Sequence, residues 1–324
     1  MKSNIKMQTA ARAFSIPFLT TLGGRLAGLL LGLLLAATGA RAATGTFIDS
    51  TMVWDGVTRY YEVYLPPVLP RNPPLLLMLH GTSFEIPPET PVKNNYGWLP
   101  VANKYQFILV KPASTRNSAT GQWNWNAYFM DAAFQSPPPD DVGFLRQLII
   151  NLTAQYNVDP KRVYVAGMSS GGQMTHRVGA ELSNLVAAII PASGTIVGQL
   201  PPPPITLPGA AVAPVSVQEW HGTLDTEIPP CNNGTTIYSG KKFYLATVDQ
   251  SFNYWVKQNK CMQKANTKKL CTNGTANPNT AGNDATSCSN GVEVQFVWEK
   301  GVKHAWEPTN NTARWLFLQA HPKP

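Results

Sequence analysis

Apolar positions along the chain fall into two kinds of pattern. Short unbroken runs at Leu75–Leu79, Phe107–Val110, Val163–Ala166, Val186–Ile190 and Val215–Trp220 predict strands buried on both faces. Near the end, Val292, Val294, Phe296 and Trp298 alternate with Glu293, Gln295 and Glu299, which predicts a half-buried strand. Thr46–Trp54 and Tyr60–Leu65 flank Asp55-Gly56, a dipeptide that suits a hairpin turn.

Helical spacing lies between these runs. Val142, Leu145, Leu148, Ile149 and Leu152 share one face of a helix starting near Asp140-Asp141, whose carboxylates suit a helix N-terminus. Met174, Val178 and Leu182 form the stripe of a second helix, and Trp255 and Val256 belong to a third over Val248–Gln258. Strands alternating with helices predict an α/β fold with a mostly parallel central sheet and helices on both faces. Pro137–Pro139, Leu200–Pro208 and the Asn/Thr/Gly-rich Thr272–Ser287 read as surface loops. Repeats are absent, and residues 43–324 read as one domain without a separate polymer-binding module.

The first 42 residues carry a different pattern. A basic leader (Lys2, Lys6, Arg12, Arg25) precedes an apolar stretch, Leu26–Ala37, and Ala40-Arg41-Ala42 fits a small-x-small cleavage site. The expectation is an export signal, leaving a secreted chain without stable membrane insertion; the apolar stretch is short for a bilayer span. Charge changes the picture with it. Lys2, Lys6, Arg12, Arg25 and Arg41 all lie in the leader, which has no acidic residue, so the net charge of +8 falls to +3 for residues 43–324. The remaining lysine pairs are short and isolated, so no nucleic-acid partner is expected. An even set of cysteines (Cys231, Cys261, Cys271, Cys288), without a CxxC pair or a nearby His cluster, favours disulfides over metal. Neither a metal nor an organic cofactor is expected.

The candidate chemistry centres on Gly167-Met168-Ser169-Ser170-Gly171. This G-x-S-x-G box follows a strand-like run and opens a helical pattern, which is the context of a nucleophile elbow. In α/β-hydrolases the acid and the base follow the serine in that order. His304 lies after the last clear strand, and Asp225 lies in the loop after Val215–Trp220, with Glu227 as an alternative acid. His80 and His221 each precede a glycine and read as turn-shaping, His176 as packed or solvated, and His321 as part of a frayed tail. An oxyanion hole needs two backbone N–H donors. Ser170, just after the nucleophile, and Thr82, in Leu79-His80-Gly81-Thr82, are the candidates. Trp306, two residues past His304, and Trp123 and Trp125 in a polar loop are candidates to bind substrate.

These motifs, in this order, resemble the extracellular esterases of the poly(3-hydroxybutyrate) depolymerase and feruloyl/acetylxylan esterase group. The resemblance rests on Met78-Leu79-His80-Gly81, Asp140 to Leu145, Val158 to Gly172, His221 to Asp225 with Ile228-Pro229, Trp255 to Cys261, and Gly301 to Trp306. It implies an α/β-hydrolase fold, Ser169, Asp225 and His304 as a catalytic triad, and a polymeric or oligomeric ester as substrate. The expected activity is that of a serine carboxylesterase acting through an acyl-enzyme, polyhydroxybutyrate depolymerase-like. A feruloyl or acetylxylan esterase is the alternative, and a serine peptidase of the same fold is a third reading. The resemblance, with the positions of the cysteines, also implies Cys261–Cys288 and Cys231–Cys271 bonds, although four cysteines alone permit three pairings. Thr82-Ser83-Phe84-Glu85 and Lys303-His304-Ala305-Trp306-Glu307-Pro308 depart from the group's usual motifs near the site.

Overall fold

The chain divides into two units, Met1–Ala42 and Ala43–Pro324. In the computed structural model the described residues are 44–83, 96–118, 121–127, 138–198, 213–231, 235–238, 241–262, 269–278, 283–285 and 288–324. The expected leader, the 200–208 loop and parts of the 272–287 stretch lie outside them.

Nine strands form the main sheet: β1 (Thr46–Trp54), β2 (Val57–Leu65), β3 (Leu75–Leu79), β4 (Ile108–Pro112), β5 (Val163–Met168), β6 (Ala188–Ala192), β7 (Ser216–Gly222), β8 (Asn283–Ala285) and β9 (Val294–Glu299). Their spatial order is β1-β2-β4-β3-β5-β6-β7-β9-β8. From β4 through β9 each pairing is parallel, whereas β1, β2 and β8 join antiparallel at the two edges. The β1–β2 hairpin turns at Asp55 and Gly56, both with positive φ, as the sequence predicts.

Helices α2 (Asp141–Tyr156), α3 (Ser170–Glu181) and α4 (Val248–Gln258) cover one face of the sheet, packing with Leu75, Leu77, Val165, Val217 and Phe296. On the other face α1 (Leu99–Tyr105) and α5 (Asn311–Ala320) pack against Leu76, Leu109, Tyr164 and Trp220. Burying each Leu, Ile or Val side chain here contributes roughly 1.5–3 kcal/mol. Helix α5 replaces the expected frayed tail. Trp315 stacks on Phe107 at 3.8 Å between ring centroids, and His321 is tied to the Phe317 carbonyl (2.7 Å) and to Glu293 (3.1 Å).

The two acids at the start of α2 act differently. Asp140 caps the helix by accepting from the Gly143 N–H. Asp141 instead is buried, paired with Arg59 at 2.6 Å, and accepts the Asn126 N–H. It ties the 121–127 segment to β2 rather than serving a helix dipole. Cys231 bonds Cys271, and Cys261 bonds Cys288.

Candidate active site

Four loops meet at the carboxyl ends of the parallel strands, where open α/β sheets hold their ligands. They follow β3, β5, β7 and β9.

The loop after β5 is a one-residue corner. Ser169 sits at φ 57°, ψ −123°, a conformation a non-glycine residue adopts only when its surroundings enforce it. The enforcement is backbone packing. A Cβ on Gly171 would lie 2.2 Å from the Leu79 carbonyl oxygen, and one on Gly167 would lie 2.2 Å from the Gly171 carbonyl oxygen. Only glycine lets α3 start this close to β3 and β5. The Ser169 N–H is bonded to Ala192 O, which fixes the corner to β6.

Ser169 Oγ lies 2.8 Å from His304 Nε2, and His304 Nδ1 lies 2.8 Å from Asp225 Oδ2. Residues 56 and 79 positions apart in the chain are thus brought into one hydrogen-bonded line. Burial by itself would raise the Asp225 pKa. Hydrogen bonds from His221, His304 and the Ile228 N–H outweigh it and hold the carboxyl well below the usual carboxylate range. Ionised Asp225 accepts a hydrogen bond from the Nδ1–H, which fixes the tautomer with Nε2 free to accept from the serine. Glu227, the alternative acid, is on the opposite side of the ring: its Oε2 lies 3.8 Å from Nε2, and its side chain is 72 % exposed.

His221 has a larger part than a turn. It is fully buried, with Nε2 2.8 Å from the Ile228 carbonyl and 3.2 Å from Asp225 Oδ2. A carbonyl can only accept, so Nε2 carries a proton that it shares with the acid. The signal was present in the i, i+4 spacing of His221 and Asp225 across a tight turn.

The loop after β3 abuts the nucleophile. A Cβ on Gly81 would lie 3.2 Å from Ser169 Cβ. The Ser114 N–H donates to His80 Nε2 at 3.0 Å, so the ring proton is on Nδ1, which donates to the Gly81 carbonyl at 2.6 Å. A trans peptide points its C=O and N–H in opposite directions, so this bond turns the Thr82 N–H away from the His80 ring. Burial lowers the His80 pKa to about 4, which keeps the ring neutral. The Thr82 hydroxyl bonds Asn124 at 3.2 Å.

The three tryptophans expected to bind substrate are structural. Trp125 is completely buried and donates to the His80 carbonyl at 2.9 Å. Trp123 is 6 % exposed and pairs with Ser83 through two backbone hydrogen bonds. Both brace the loop that carries Thr82. Trp306, 7 % exposed, packs between Tyr96 and Trp98 and donates to Asn311 at 2.9 Å. In each case the apolar ring fills the interior, and the indole N–H groups of Trp125 and Trp306 find internal acceptors. His176 is equally internal: it accepts from the Trp255 N–H and donates to the Gly194 carbonyl, and burial lowers its pKa to about 3.

The His304 loop is secured from beneath by a group the sequence did not single out. Arg314 is fully buried in α5, bonds Glu299 at 2.7 Å and the Glu307 carbonyl at 2.7 Å, and lies over Trp306 and Trp220. Above it, the Leu224 N–H donates to Val302 O, and the Gly301 N–H to Thr223 Oγ1, coupling the acid and base loops. Among the described residues no cluster of His, Cys, Asp and Glu is arranged to hold a metal ion.

Residues 59–202 match the family described as Esterase PHB depolymerase. By sequence that stretch is similar to the PHB depolymerase esterases. A bifunctional acetylxylan esterase/xylanase of Neocallimastix patriciarum is 27 % identical over 81 % of the chain and 33 % of its own length. A poly(3-hydroxybutyrate) depolymerase of Ralstonia pickettii is 28 % identical over 64 % of the chain and 41 % of its own length. The chain therefore spans less than half of these relatives. Among solved structures, an acetyl xylan esterase from Aspergillus awamori aligns over 85 % of this chain and 99 % of its own, with a TM-score of 0.53 at 17 % identity. That likeness shows the α/β-hydrolase fold.

Proposed function

We propose that this chain is a serine carboxylesterase working through an acyl-enzyme. The observation that supports it most is the line from Ser169 Oγ through His304 to Asp225, with both contacts at 2.8 Å. In this reading His304 Nε2 takes the hydroxyl proton as Ser169 attacks the ester carbonyl, and Asp225 stabilises the resulting imidazolium. The Ser170 and Thr82 N–H groups receive the developing oxyanion; removing such a donor typically costs about 3–4 kcal/mol of transition-state stabilisation. His304 then protonates the leaving alcohol, and water, activated by the same histidine, releases the acid.

The substrate class is a polymeric or oligomeric ester of the polyhydroxybutyrate kind, a reading supported by the family match. The acetylxylan esterase relative, aligned over 81 % of the chain, supports a polysaccharide ester as the second reading. Export is part of the proposal: residues 1–42 would be removed as a signal peptide, leaving 43–324 as one catalytic domain. The two disulfides suit an oxidising compartment, and no helix among the described residues is long and apolar enough to cross a membrane.

The test is a hydrolysis panel of p-nitrophenyl esters, polyhydroxybutyrate film, methyl ferulate and acetylated xylan, run with the parent and Ser169→Ala. Ester turnover is expected in the parent, and a loss of about 10⁴-fold or more in the variant, with unchanged circular dichroism. Retention of most of the activity by Ser169→Ala would remove the nucleophile assignment.

A further inference from the structure

Glu227 occupies a place in the site that the triad does not account for. Its backbone is pinned, because its N–H donates to Asp225 Oδ1 at 2.9 Å. Its side chain is 72 % exposed, yet Oε2 stands 3.8 Å from His304 Nε2. Among the described residues no lysine or arginine is in an ion pair with it, so its charge is left to solvent and to His304.

Nε2 is the atom that hands a proton to the leaving alcohol, which must come within about 2.6–3.2 Å of it. The Glu227 carboxylate therefore lies within about 7 Å of the leaving oxygen, and can be nearer still to the groups that oxygen carries. A fixed negative charge at that distance distinguishes alcohols by their own charge.

We propose that Glu227 is a charge filter on the alcohol side of the site, slowing esters whose leaving alcohol bears a carboxylate and favouring those whose alcohol is neutral or cationic. It rests on the esterase reading above. The filter acts on the alcohol only: an anionic group on the acyl side, away from Nε2, is not its target. Being exposed, it weakens with salt.

Three acetate esters of similar size test it, those of 4-hydroxybutanoate, 4-hydroxybutanamide and 4-aminobutanol, at low ionic strength and about pH 8, where the first is anionic and the last cationic. The parent is expected to rank cationic and neutral above anionic in kcat/KM. Glu227→Gln is expected to raise the anionic-to-neutral ratio by about three- to tenfold, a range that allows for solvent screening. Glu227→Lys is expected to invert the order of the anionic and cationic esters, and high salt to shrink the parent's discrimination. An anionic-to-neutral ratio that stays within about twofold of the parent's in Glu227→Gln overturns the filter. So does an equal fall on all three esters, which would place the effect on His304 rather than on substrate. Absence of turnover on the neutral ester by the parent, or full turnover by Ser169→Ala, would instead remove the esterase reading, and the filter with it.

Discussion

The nucleophile and its base are held in place by opposite means. Ser169 is positioned by main chain: the corner has no room for a Cβ at 167 or 171, and the Ser169 N–H is bonded into β6. His304 sits on the loop between β9 and α5, whose position depends on side chains buried beneath it. Arg314, Glu299, Trp306 and Asn311 form that support, and a disulfide lies just before β9. A backbone-held element fails abruptly, because nothing nearby can give. A side-chain-held element can be loosened in stages, and those stages are accessible to mutation.

The largest such effect is expected at Arg314. Replacing it with alanine leaves Glu299, 2 % exposed at its side chain, as a buried carboxyl without its cation. Breaking one side of a buried pair costs about 3–5 kcal/mol. For a domain of this size that lowers the melting temperature by about 10 °C. Burial raises the Glu299 pKa even with Arg314 in place, so the unpaired acid is expected to take up a proton rather than stay charged. Ester turnover is expected to fall at temperatures where the variant is still folded, because the Glu307 carbonyl also loses its donor. A melting temperature within about 2 °C of the parent's, with normal turnover, would mean that the loop is held by something other than this pair.

Those two modes of support also explain what the sequence disclosed. The inner strands were legible because strands buried on both faces are unbroken apolar runs, and Leu75–Leu79 is a strand with those very bounds. The corner at Ser169 was legible because its two glycines are a necessity of backbone packing. The order of serine, acid and histidine then pointed to Asp225 and His304. What stayed hidden was side-chain support. Helix α5 buries Asn311 and Arg314 alongside Trp315 and Leu318, so its inner face does not read as an apolar stripe. The same ambiguity misplaced Trp123, Trp125 and Trp306: a tryptophan near a catalytic motif can line the site or brace it, and burial decides. His221 was hidden by its neighbour, since His-Gly at a strand end reads as a turn until Asp225 is seen to face the ring.

The disulfides offer a smaller loosening of the same half. Cys261–Cys288 spans 27 residues and Cys231–Cys271 spans 40. On the chain-entropy account each stabilises by roughly 3–4 kcal/mol. The first joins the end of α4 to the approach to β9, where the Ser289 N–H also bonds the Asn259 carbonyl. The second lies where Asp249 accepts the Leu270 and Cys271 N–H groups. Removing Cys261 and Cys288 together is therefore expected to lower turnover along with stability, whereas removing Cys231 and Cys271 mainly lowers stability. Non-reducing peptide mapping checks the pairing first: a Cys261–Cys271 peptide, or free thiols at 261 and 288, would overturn it.

The smallest effect concerns Glu219, in the strand that delivers Asp225. It is 1 % exposed, and neither carboxyl oxygen has a hydrogen-bond partner among the described residues. Burial, and then the negative charge of Asp249, push its pKa well above the ordinary 4.5. The folded chain therefore keeps this proton at a pH where the unfolded chain has lost it. Above about pH 4.5 the unfolded state binds fewer protons, so the protonated acid's contribution, complete below that pH, is lost progressively as pH rises towards the folded-state pKa. Glu219→Gln has nearly the same shape and cannot ionise. It is expected to match the parent in melting temperature near pH 4 and to exceed it increasingly towards pH 8, with the sheet and the site intact. A difference that is the same at both pH values, or that shrinks as pH rises, would show that Glu219 is not held protonated. It would also remove buried ionisation from the ways in which the half carrying the acid and the base differs from the backbone-held corner of the serine.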